Sequence, residues 1–187
     1  MKKLMVALLM LTAIASFASA DFIGIFADDQ GVECQAPIVE YEPLVVHVMA
    51  YIPNVPGGIT AVEFSVANYP GSPGYPTGTA TPAWDSDLVI GDIAFDISIA
   101  FSEPQYGPFA HIGTIEFLMF DPAWIGPDHV MAVVEGADCA CLVVVDDLFE
   151  IVEVDGGIFT FNCTGTCVCL EDTATQDSSW SAVKSLF

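Results

Sequence analysis

Positive charge is almost absent from this sequence. Its 187 residues hold three lysines and no arginine against 25 aspartates and glutamates. Two of those lysines, Lys2 and Lys3, open the chain, and the third is Lys184. Binding to DNA, RNA or an anionic lipid surface draws its affinity from Lys and Arg, so nucleic-acid and membrane-surface partners are excluded. Phosphoryl chemistry loses its usual arginine clamp for the same reason. Catalytic signatures are missing too. There is no Gly-x-Ser-x-Gly elbow, no metalloprotease helix and no Gly-rich phosphate loop. His47, His111 and His129 are isolated in sequence. His47 lies in an apolar run, where a satisfied core histidine is the ordinary outcome. No EF-hand pattern is present.

The first residues read MKKLMVALLMLTAIASFASA. Two lysines, an apolar run from Leu4 to Phe17 and the small residues Ala18-Ser19-Ala20 form a secretory leader, with cleavage expected before Asp21. The apolar run is short for a bilayer span, which takes about 20 residues. No later stretch suffices for a membrane helix, and none is expected to insert. An outer-membrane barrel is the alternative, disfavoured because several strands are apolar on both faces. Removing the leader takes away Lys2 and Lys3, so the formal charge of −22 becomes −24. Internal salt bridges cannot offset that repulsion. Dissolved cations must screen it, or bound calcium must neutralise it locally.

What the mature chain does contain is strand signal. Ile93 to Phe101 alternates large apolar residues with small or acidic ones, the period of a half-buried strand. Val62, Phe64 and Val66 repeat the pattern, as do Ile115, Phe117 and Met119. Leu44 to Ile52 is apolar on both faces apart from His47, which predicts a central strand. Further strands are expected at Phe22–Phe26, Val130–Val134, Leu142–Val145, Phe149–Val154 and Ile158–Phe161. Turn residues separate these runs, and no helical period occurs within residues 21–163. The expected fold is all-β, a single β-sandwich over 21–163. Tyr69 to Trp84 reads as one long Pro- and Gly-rich loop. Residues 164–187 read as a Cys-containing polar tail.

The segments GGITAVEFSV, WDSDLVIGD and HIGTIEFLMF loosely resemble cohesins and the carbohydrate-binding sandwiches related to them. That resemblance covers about half the chain and implies a jelly-roll-like sandwich used for non-catalytic binding outside the cell. Six cysteines and the lack of basic residues depart from the cohesin pattern, so no dockerin partner is carried over. The two ends of the chain are similar to exported bacterial proteins without an assigned activity.

Cys34, Cys139, Cys141, Cys163, Cys167 and Cys169 make six thiols in an exported chain, for which disulfides are the default. Cys139 and Cys141, if extended, stand about 6.6 Å apart, at the edge of bridging range. Each is therefore expected to pair elsewhere, with Cys163, Cys167 and Cys169 stapling the tail to the sandwich. The rival is a thiolate zinc site, for which the C-x-C spacing is tight.

Asp85 and Asp87, with Asp92, are the best oxygen ligands for calcium, the one cofactor the sequence suggests. Tyr69, Tyr75, Trp84 and Trp124 could offer flat faces to a glycan, or could pack over the end of the sandwich. In the tail, Trp180, Val183 and Leu186 or Phe187 share a helical face after a cap at Asp177 or Ser178. Lys184 falls in the last turn of that short helix, where it complements the dipole. So short a helix must dock, on its own sandwich or on a partner. Together these features predict a secreted, non-catalytic binding or structural module for an extracellular protein or glycan surface. A calcium-dependent carbohydrate-binding domain is the alternative, and a carboxylate-based glycan hydrolase is the alternative from another class.

Overall fold

The computed structural model describes residues 21–70, 78–121 and 125–170. The predicted leader, Tyr75, Trp124 and the predicted C-terminal helix lie outside the described residues. Among the described residues are thirteen strands: β1 (Phe22–Phe26), β2 (Gln35–Ala36), β3 (Pro43–Tyr51), β4 (Ile59–Ala67), β5 (Gly78–Trp84), β6 (Leu88–Asp92), β7 (Asp96–Gln105), β8 (Phe109–Met119), β9 (His129–Val134), β10 (Val143–Asp146), β11 (Ile151–Glu153), β12 (Asp155–Gly156) and β13 (Ile158–Phe161). They form two sheets, as the alternation predicts.

The first sheet runs β12-β1-β3-β8-β5. The second runs β11-β10-β4-β9-β13-β2, with β7 on the other side of β4 and β6 beyond it. β3 is central, between β1 and β8. Its Val46, Val48 and Ala50 are fully buried towards the second sheet. Val62, Phe64 and Val66 of β4 and Ile115, Phe117 and Met119 of β8 meet them in one core. Rings interlock at its centre. Phe117 stands edge-on to Phe161 at 5.3 Å, and Phe161 edge-on to Phe159 at 5.1 Å. Each such side chain contributes about 1.5–3 kcal/mol by leaving water.

β1 is buried on both faces, which needs a second cover. Ile23 and Ile25 enter the core, while Phe22, Phe26 and Met49 form a small cluster with Cys34 on the outer face of the first sheet. The loop after β1 folds over that cluster. Asp28 holds the loop, accepting hydrogen bonds from the backbone N–H groups of Gln30, Val32 and Glu33. Gly31 has φ +72°, and the Phe109 ring lies 2.5 Å from where a Cβ would stand, so only glycine fits there. The Cys34–Cys169 disulfide then clasps the loop to the end of the described chain. Next to it Ile158 N donates to Cys169 O at 2.9 Å, and Gly157 pairs with Leu170.

Partial burial pushes the Asp28 carboxyl up, but the N–H groups of Glu33, Gln30, Val32 and Gly31 together hold it below its usual value. Its contribution to stability is thus complete above the unfolded value of about 4 and is lost as pH falls through the lower folded value. Asp28→Asn should lower the melting temperature at pH 7. By circular dichroism, it should also remove the stability that Asp28 is expected to lose as pH falls below about 4.

Four expectations need correction. Residues 78–84 of the expected loop are β5, paired along its length with β8. β5 is an edge strand, where Pro82 costs no ladder bond, and its small residues carry little apolar signal. The alternation read from Ile93 begins at Asp96, because residues 93–95 form the turn into β7 and leave Phe95 58% exposed. Cys139 and Cys141 pair with each other, since Ala140 adopts φ 51° and turns the chain, bringing their Cα atoms to 5.2 Å. Cys163 bonds locally to Cys167, so Cys169 alone among the late cysteines reaches the sandwich.

Candidate functional site

Two outward faces carry side-chain arrangements beyond what packing requires. The first belongs to the second sheet. Register places Leu88, Ala100, Ala61, Val145 and Ile151 in one row across β6, β7, β4, β10 and β11. Their neighbours along the strands, Val89, Ile99, Val62, Val144 and Val152, point the other way into the core. The row is small and flat in its middle and open at both ends, with Leu88 58% and Ile151 72% exposed. An adjacent row runs Ile90, Ser98, Glu63, Val143 and Glu153. Beyond Ile151 the hairpin between β10 and β11 holds up two more apolar side chains, Leu148 and Phe149. Asp146 fixes that hairpin, its Oδ1 accepting from Leu148 N at 2.9 Å and Glu150 N at 2.8 Å. Phe149 sits at φ 64°, an uncommon conformation for a large residue, and its ring stays in water.

The second arrangement lies on the outer face of the first sheet. His47 on β3 and His111 on β8 point away from the core, and His47 Nδ1 lies 3.0 Å from His111 Nε2. His111 Nδ1 is 2.6 Å from Asp85 Oδ2, at the end of β5. His47 is therefore half-exposed in a polar contact and is not a core histidine. Alternation marks both histidines as outward, but only the β3–β8 register brings them together, and single-strand patterns hold no register.

The sequence-predicted ligands disperse. Tyr69 is 4% exposed and packs edge-on to Phe117, so its ring offers no face to a sugar. Burial first, then the charge of Asp92, pushes its hydroxyl up to about 12. Trp84 leans on Phe64 at 6.2 Å and packs against the core. Asp85 and Asp87 border a depression of about 480 Å³ at the β5–β6 turn. Ser86 anchors that turn by hydrogen bonds to Leu88 and Ala100. Asp92 lies at the far end of β6, about 16 Å along the strand from Asp87, and caps Ala94 N. The three carboxylates do not converge on one ion.

Among the described residues, Glu63 with Cys139 and Cys141, and Asp128 with Cys163 and Cys167, gather three metal-ligand atoms within 4.8 Å. Both groups are closed as thiolate sites, because their cysteines are joined as disulfides. Asp128 is instead held below its usual value by the Thr164 hydroxyl, then by the Thr164 N–H. No helix among the described residues is long and apolar enough to cross a membrane.

The two-sheet fold is similar to that of cohesin modules, a structural counterpart to the loose resemblance in the sequence. The sixth cohesin of scaffoldin B from Acetivibrio cellulolyticus, solved in complex with a Cel5 dockerin, is similar at a TM-score of 0.50 and 12% identity, covering 78% of this chain and 99% of that one. The cohesin module of a family 33 glycoside hydrolase from Clostridium perfringens is similar at a TM-score of 0.48 and 6% identity, covering 77% of this chain and 98% of that one. No protein-family model matches the chain, and no curated protein matches it in sequence.

Proposed function

We propose that this chain is an exported, non-catalytic module that binds another extracellular protein on the outer face of β6, β7, β4, β10 and β11. The observation that carries the reading is the five-strand row from Leu88 to Ile151, apolar on the side that faces water. Strand faces turned to solvent ordinarily alternate to polar residues. A continuous apolar row with open ends fits the centre of a protein interface, and Phe149 at its rim is suited to anchoring. Glu63, Glu153, Glu150 and Asp147 surround it, so the partner is a folded protein with an apolar patch ringed by Lys or Arg. A dockerin bound to the Acetivibrio cohesin supports a folded protein as occupant. The glycan reading is weaker, because Tyr69 is buried and Trp84 leans on the core.

Ala61 lies in the middle of the row and tests it. Ala61→Arg adds bulk and a cation facing a basic rim, without entering the core. Against exported proteins of the producing cell, wild type should bind a protein partner saturably. The variant should bind that partner at least about 30-fold more weakly, a loss of about 2 kcal/mol, at an unchanged melting temperature. Retention on a polysaccharide that survives Ala61→Arg and disappears in Trp84→Ala would overturn the protein reading in favour of sugar.

A further inference from the structure

The geometry points to a transition-metal site at His47 and His111, with Asp85 behind it, on the face opposite the proposed protein-binding surface. Carboxylates accept hydrogen bonds and do not donate them, so the 2.6 Å contact with Asp85 places a proton on His111 Nδ1. His111 Nε2 then carries its lone pair towards His47, whose Nδ1 stands 3.0 Å away. Two nitrogens bound to one tetrahedral ion at about 2.0–2.1 Å lie about 3.3 Å apart. The two imidazoles are thus spaced as a chelating pair. Small turns of the two rings, which meet at 63°, bring both lone pairs to one point once His47 moves its proton from Nδ1 to Nε2, the tautomer that frees Nδ1 for the ion. Asp85 supplies the outer partner that ligating histidines need, fixing the tautomer and the orientation of the ring.

Access and chemistry agree. The side chains of His111 and Asp85 are 32% and 49% exposed, so the site opens to solvent. Imidazole nitrogens select Cu(II) or Zn(II) over calcium and magnesium, which prefer oxygen. The remaining coordination positions are open to water or to a ligand from a partner. The negative field of the chain concentrates cations around it. None of the sequence-predicted calcium ligands is used except Asp85, and that one acts through His111 as a positioning residue.

Titration of the full mature chain with CuCl2 and, separately, ZnCl2 tests the site, followed by calorimetry and by electron paramagnetic resonance for copper. One ion should bind per chain, and excess CaCl2 should leave its affinity unchanged. The copper spectrum should show two coupled nitrogens, falling to one in either His47→Ala or His111→Ala. Asp85→Asn should keep both nitrogens and weaken binding about 10–100-fold. His129→Ala should change nothing. Equal affinity in the His47→Ala/His111→Ala double variant, or displacement of the ion by calcium, would overturn the assignment. These readouts do not depend on any protein partner, so they stand or fall apart from the protein-binding proposal.

Discussion

Replacing Cys34 and Cys169 with serine should lower the melting temperature by about 10–20 °C. The bond joins residues 135 positions apart, close to the full length of the sandwich. Closing a loop of that length removes about 5 kcal/mol of unfolded-chain entropy at 25 °C. For a chain of this size, each kcal/mol moves the midpoint by about 2–4 °C. A second loss adds to the first. Cys34 is 4% exposed and belongs to the cluster of Phe22, Phe26 and Met49, with Cys169 packed on it, so the serines put polar atoms where the clasp was apolar. The contrast is the Cys163–Cys167 bond, which spans four positions and closes a loop worth less than half as much. Removing it should shift the midpoint by about 4–8 °C. Differential scanning calorimetry of the two double variants, each with its other disulfides intact, checks the ordering. Equal shifts would mean that Cys34–Cys169 acts only locally.

The clasp also accounts for what a reading of the chain could and could not reach. β4 and β8 were legible because one side chain in two enters the core, and β3 because its run is apolar on both faces; both are local properties of the sequence. β5 was not. Its residues before Trp84, GTATPA, are small or polar and are held as a strand by pairing with β8, whose partner positions lie 29 to 41 residues away. β1 was legible as a strand, but the cover on its outer face was not, since Gly31, Asp28 and Cys34 acquire meaning only when Phe109 and Cys169 come to meet them. The cysteine pairing failed on one backbone angle. An extended Cys139-Ala140-Cys141 lies at the edge of bridging range, and a left-handed Ala140 brings the Cα atoms to 5.2 Å.

Site residues divide along the same line. Aromatic rings in a Pro- and Gly-rich stretch suggest exposed platforms, yet Tyr69 closes the core against Phe117, because burying a ring in a sandwich stabilises more than leaving it in water. Of the carboxylates chosen for calcium, Asp85 turns to His111 and Asp92 is engaged by its own backbone at Ala94 N. The apolar row and the histidine pair both arise from register across strands far apart in sequence. Alanines 61 and 100 look unremarkable one at a time. Side by side, between Leu88 and Ile151, they leave a flat apolar strip.

Salt should control the stability of this protein more than any single side chain does. The described residues include no lysine or arginine and 22 of the 25 carboxylates. Folding gathers those carboxylates into a smaller volume, so their mutual repulsion opposes the compact state. At 10 mM ionic strength the Debye length is about 30 Å, comparable to the whole domain, and most pairs repel. At 1 M it is about 3 Å, and only neighbours do. The melting temperature should therefore rise by about 10 °C or more between 10 mM and 1 M NaCl, a gain of several kcal/mol. CaCl2 and MgCl2 at matched ionic strength should trace one curve, because Asp85, Asp87 and Asp92 do not converge on an ion. A calcium curve that climbs above the magnesium curve would restore a calcium site. A midpoint that stays flat from 10 mM to 1 M would mean that the fold spaces its carboxylates widely enough to need no borrowed cations.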